Sequence, residues 1–159
     1  MGIYLNPGND AFRLCLNDDI YIDKSGLIDF VNRRIDKSKR FICVSRPRRF
    51  GKSMAANMLS AYYSKECNSE ELFKNLKIAQ KASYKQHLNR YDVIFLNVQQ
   101  FLRKAGNIEE LVHYIEERVL AEIKTIYKDF VQEEEHSLPD ALSSIYAGTN
   151  PHNGFVFIV

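Results

Sequence analysis

The sequence predicts an α/β protein, a parallel sheet with helices on both faces. Two patterns predict it. Three short runs, at 41–45 (FICVS), 92–98 (DVIFLNV) and 155–159 (FVFIV), are continuously apolar or nearly so, as strands buried on both faces are. Segments whose apolar residues recur every three or four positions separate them, and strands alternating with helices build parallel βαβ units.

Taken in order, residues 1–19 contain Pro7, Gly8 and several Asn and Asp, and read as loop with a short helix. Asp23 or Ser25 can cap the next helix, on which Leu27, Ile28, Val31 and Ile35 share a face. Residues 41–45 are the first expected strand. A helix over 53–64 follows at once, with Met54, Met58, Leu59 and Tyr62 on one side. Shorter helices are expected at 70–76 and 83–88, then the strand at 92–98. The longest helix spans 107–130, capped by Asn107. Its stripe from Ile108 to Phe130 suits one helix lying over a sheet better than a coiled-coil seam. A helix at 138–146, a turn at 147–154 and the strand at 155–159 complete the order. One domain is expected over 1–159, divided into an N-terminal segment and helix (1–39) and a core (40–159). A strand of the buried kind as the final element reads as part of a longer chain.

Composition excludes several classes. The three cysteines are scattered and include no CxxC pair, and the four histidines form no HExxH pattern. His113 and Glu116, one turn apart, read as an exposed helix face. No apolar run reaches membrane-spanning length, and the first residues lack the build of a signal peptide, so a cytoplasmic protein is expected. The net charge is only +2, but residues 33–52 carry nine Lys/Arg against one acid, and residues 107–140 ten acids against three bases. Blocks of one sign usually make a solvated face. The basic block differs because it lies on a strand-to-helix junction.

That junction reads Arg46-Pro47-Arg48-Arg49-Phe50-Gly51-Lys52-Ser53, then Met54. The first amides of a helix have no internal partner, and the helix dipole adds partial positive charge there. Gly51 lets the backbone approach an anion, Lys52 supplies a mobile charge, and the Ser53 hydroxyl can bind Mg²⁺. This is the chemistry of a nucleotide-phosphate loop, GxxxxGK[ST], with Arg46 in place of the first glycine. Pro47 fixes one φ angle in a loop short of a glycine. Arg48 and Arg49 suit triphosphate, nucleic acid or an internal acid equally well.

On these residues the chain resembles the AAA-ATPase-like family of bacterial P-loop proteins. The shared segments are YIDKS at 21–25, RPRRFGKS at 46–53, AYYS at 61–64, ELFKNLKI at 71–78, and VIFLNV at 93–98. Asp92 departs from the pattern, which often has proline there. The resemblance implies a P-loop NTPase fold, here the incomplete N-terminal part of an AAA-like domain ending before the Walker B acids. It implies ATP and Mg²⁺ as cofactors, Lys52 on the β/γ-phosphates, Ser53 on the metal, and Arg46 to Met54 around the phosphates. Tyr21, Asp23 and Lys24 are candidates for holding the adenine. It further implies a nuclease-like domain downstream, with nucleic acid and a second copy as candidate partners. Such a chain is expected to bind nucleotide and to hydrolyse it poorly alone. The alternatives are a non-hydrolysing nucleotide switch and a small P-loop kinase.

Overall fold

The computed structural model describes residues 2–149 and 152–159. Its sheet has two parallel strands, β1 (Asp92–Phe95) and β2 (Phe155–Ile158), with Val93 opposite Val156 and Ile94 opposite Phe157. On its other side β1 meets the N-terminal segment. The Asn6 amide donates to the Val93 carbonyl at 2.7 Å and the Phe95 amide to the Tyr4 carbonyl at 2.8 Å. The helices are α1 (Asp10–Leu16), α2 (Gly26–Asn32), α3 (Lys52–Tyr63), α4 (Glu70–Phe73), α5 (Tyr84–His87), α6 (Val98–Leu102), α7 (Ile108–Ile126) and α8 (Leu138–Gly148), with a 3₁₀ turn at Lys77–Gln80. The expected strand at 92–98 is shorter because Asn97 turns the chain into α6, its side chain accepting from the Gln99 amide.

Alternation along β1 divides the interior in two. Val93 packs with Phe12, Ile28, Met58, Tyr62, Tyr63 and Phe73 on the α1–α3 side. Ile94 packs with Leu5, Val119, Ile123 and Ile145 on the α7–α8 side. Period-two strand geometry requires this once both faces are covered. The two tyrosines of AYYS are fully buried, so their hydroxyls need partners. Tyr63 donates to Asn32 Oδ1 and Tyr62 to the Tyr84 carbonyl, both at 2.6 Å. This polar knot ties α2 to α3 and α5.

α7 starts with a reciprocal cap: the Glu110 amide donates to Asn107 Oδ1 at 2.8 Å, and Glu110 takes the Gly106 amide at 2.8 Å. The helix reaches the core from Ile115 onward, and its first turns do not. Val119, Leu120 and Ile123 are buried, whereas Ile108 is 77% exposed. The single-helix reading therefore holds for half of the stripe.

The expected strand at 41–45 is not a strand. Residues 41–47 have no regular secondary structure, and Phe41 is 87% exposed. A strand exists through its ladder of hydrogen bonds. The edges of β1 are taken by β2 and residues 4–6, and residues 41–45 pair with no strand among the described residues. Local apolarity could not supply a missing partner. The turn expected at 147–154 includes Asn150 and Pro151, which lie outside the described residues.

Candidate functional site

The RPRRFGKS segment forms an exposed loop that turns at residues 48–51 and enters α3. Gly51 stands at the N-cap with φ +74°, a left-handed conformation that residues with a Cβ adopt only at a cost. Arg49 is left-handed too, at φ +68°. Unlike α6, α7 and α8, α3 has no side-chain cap, and its first turn holds no acid, in contrast to α7 and α8. The first backbone bond of the helix runs from the Ala55 amide to the Gly51 carbonyl at 3.0 Å. The amides of Lys52, Ser53 and Met54 are thus left without an acceptor among the described residues.

The Lys52 ammonium folds back over the loop, donating to the Arg46 carbonyl and, at 3.4 Å, to the Pro47 carbonyl. Lys24 reaches the same loop, donating to the Phe50 carbonyl at 3.0 Å. Its ammonium lies 2.6 Å from where a Cβ on Gly51 would stand. The expected residues Arg46, Pro47, Phe50, Gly51, Lys52, Ser53 and Met54 are therefore gathered into one loop-and-helix unit. Arg48 and Arg49 lie on its exposed turn. The carbonyls of Arg46, Pro47 and Phe50 are thus turned onto the two lysines. Two open hollows lie along α7, one of them about 230 Å³ beside His113, Glu116 and His136.

The YIDKS segment divides its labour. Tyr21 is half-buried, edge-on to Phe12 at 6.2 Å, and burial followed by the Asp23 charge pushes its hydroxyl up to about 12. Asp23 is occupied by backbone: it accepts the Ser25 and Lys77 amides, each at 2.8 Å. Burial pushes its carboxyl up, but those amide bonds outweigh it and hold it below the usual carboxylate range. Ser25 Oγ accepts the Ile78 amide at 3.1 Å. Of the three, Lys24 alone projects to the loop.

Ser53 lies exposed in the first turn of α3, and its hydroxyl makes no hydrogen bond among the described residues. No group of three or more His, Cys, Asp or Glu is placed to hold a metal among those residues. The donors thus fit a Mg²⁺ taken mainly by phosphate oxygens and water, with one protein hydroxyl.

A polar cluster that sequence reasoning passed over lies behind the sheet. Asp92 is 1% exposed. Its Oδ2 accepts from Tyr127 Oη at 2.7 Å, Lys65 Nζ at 2.9 Å and His152 Nε2 at 3.0 Å; its Oδ1 accepts from Asn6 Nδ2 at 2.6 Å. The Gly154 amide donates to His152 Nδ1, so the ring hydrogen on Nε2 faces the carboxylate. Burial, and after it the bond to Asp92, pushes the Tyr127 hydroxyl far above its ordinary value. The available signal was an acid opening an otherwise apolar strand.

A phosphate-loop sequence at an uncapped helix start, beside a parallel pair of strands, defines a class of nucleotide-binding α/β domains as the expectation to test. A family model described as "Predicted AAA-ATPase" matches residues 8–158. The chain belongs to this AAA-ATPase-like family, and membership suggests a nucleotide-binding, ATPase-like domain. No curated protein and no solved structure matches the chain. No helix among the described residues is long and apolar enough to cross a membrane.

Proposed function

We propose that the chain is an ATP-binding P-loop domain, the phosphate-holding part of an ATPase. The observation carrying this is the start of α3. Left-handed Gly51, the uncommitted amides of Lys52, Ser53 and Met54, and the Lys52 ammonium stand within one turn of each other. Together they supply the donors and charge that a polyphosphate needs. On binding, Lys52 exchanges the Arg46 and Pro47 carbonyls for phosphate oxygens, and the loop closes round the anion. Ser53 would hold Mg²⁺, which neutralises phosphate charge when bound.

The experiment is thermal denaturation with and without ATP and Mg²⁺. At a nucleotide concentration a hundredfold above Kd, binding adds about 2.7 kcal/mol to stability. At roughly 2–4 °C per kcal/mol for a chain of this size, the melting temperature rises by about 5–11 °C. Lys52→Ala abolishes the rise. An equal rise in the variant removes the site from consideration. Turnover measured on the same protein then separates an ATPase from a nucleotide-held switch.

A further inference from the structure

We propose that Lys24 is a second polyphosphate ligand of this site, delivered from outside the loop by the stapled segment before α2. The inference rests on the nucleotide reading above and adds to it a residue that lies 28 positions before Lys52 in the sequence.

Placement comes first. Asp23 accepts the amides of Ser25 and Lys77, and buried Ser25 accepts the Ile78 amide through its hydroxyl. The backbone on both sides of Lys24 is thus pinned to the 3₁₀ turn, and the lysine side chain is directed across to residues 50 and 51. Gly51 leaves the space that the ammonium occupies, since a Cβ there would stand 2.6 Å from Nζ. One glycine therefore serves the left-handed turn and the approach of Lys24.

Charge comes second. Among the described residues, Lys24, Arg46, Arg48, Arg49 and Lys52 form no ion pair. Like charges gathered on one loop repel each other, and no side chain of opposite sign offsets that repulsion here. An ammonium has three donors, and the Phe50 carbonyl takes one from Lys24. An exposed lysine bonded to a single carbonyl adds little to the fold. Two ammonium groups resting on carbonyls of one loop match a site whose anion has yet to enter. When a nucleoside triphosphate binds, Lys24 moves from the Phe50 carbonyl to a phosphate oxygen, as Lys52 does from Arg46 and Pro47.

The test measures Kd for a slowly hydrolysed ATP analogue with Mg²⁺ by calorimetry, on the unaltered protein and on Lys24→Gln, Lys24→Arg and Lys52→Ala. A charge-assisted hydrogen bond lost from the complex predicts about a tenfold to hundredfold weaker Kd for Lys24→Gln. Lys24→Arg recovers most of it, and melting without nucleotide is unchanged in both. Undiminished affinity in Lys24→Gln, with binding lost in Lys52→Ala, overturns the Lys24 assignment and leaves the phosphate loop standing. If Lys24→Arg fails to rescue and both variants melt earlier without nucleotide, Lys24 acts through the fold and the proposal is wrong. Absence of binding to the unaltered protein removes the nucleotide reading itself, and this inference with it.

Discussion

Replacing Asp92 by asparagine tests the buried cluster behind the sheet. The carboxylate accepts four hydrogen bonds, three on Oδ2 and one on Oδ1. Asparagine keeps one acceptor atom and presents an NH₂ group in place of the other. If its oxygen faces Lys65, Tyr127 and His152, its NH₂ meets Asn6 Nδ2, donor against donor. Asn6 cannot turn over to help, because its Oδ1 holds the Val93 amide at 2.7 Å. With the amide reversed, three donors lose their acceptor. Either way a buried bond is lost, and Lys65 loses its counter-charge. Removing one member of a buried ion pair costs about 3–5 kcal/mol. Lys65 is 36% exposed and can turn partly to water, which places the cost at the lower end, about 3 kcal/mol. Urea unfolding followed by circular dichroism should show that loss, and thermal scans a fall of roughly 6–12 °C. Lys65→Met in the same background should be far from additive, since both changes remove one contact. A loss below about 0.5 kcal/mol, or strict additivity with Lys65→Met, would refute the reasoning.

Further outcomes follow from the same geometry. Gly51→Ala must hold a left-handed conformation, so it should cost about 1–2 kcal/mol in urea unfolding and weaken nucleotide binding. The displaced Lys24 ammonium ends a flexible chain and adds little; unchanged stability would mean the turn is not left-handed. Burial pushes His87 below its ordinary value, so the unfolded chain binds its proton more readily. Stability from this group is complete above about pH 6.5 and is lost as pH falls through the lower folded value. The urea midpoint should therefore drop through that range, and His87→Gln should flatten the drop; a slope unaltered by the substitution would assign it elsewhere. The depressed Asp23 carboxyl acts in the same sense but lower, with its contribution present above about pH 3.9 and lost below it. Asp23→Asn should remove that acid component.

Much of the helical architecture can be read from local chemistry. Asn107 with Glu110, Ser137 ahead of Pro139, and the apolar periods between them mark α7 and α8 to within a few residues of where they lie. Caps and periodicity act over a single turn, so a short window of sequence contains them. The loop-and-helix unit is legible for the same reason: Gly51, Lys52, Ser53 and Met54 are neighbours in the chain and remain neighbours at the start of α3.

Contacts between distant segments are a different matter. Residues 41–45 look more like a buried strand than residues 92–95 do, yet only the latter find partners, from residues 4–6 and 155–158. Asp92 looked incidental until Asn6, Lys65, Tyr127 and His152 closed on it. Lys24 was grouped with Tyr21 and Asp23 in the sequence, and the structure sets its ammonium on the Phe50 carbonyl beside Gly51. By itself, then, the amino-acid order determined where most of the longer helices lie and the chemistry of the loop, because those depend on residues a few positions apart. Tertiary structure alone decided which extended segment became a strand, which acid was buried and which lysine met the loop. Each of those depends on a partner far along the chain, and no local preference specifies one.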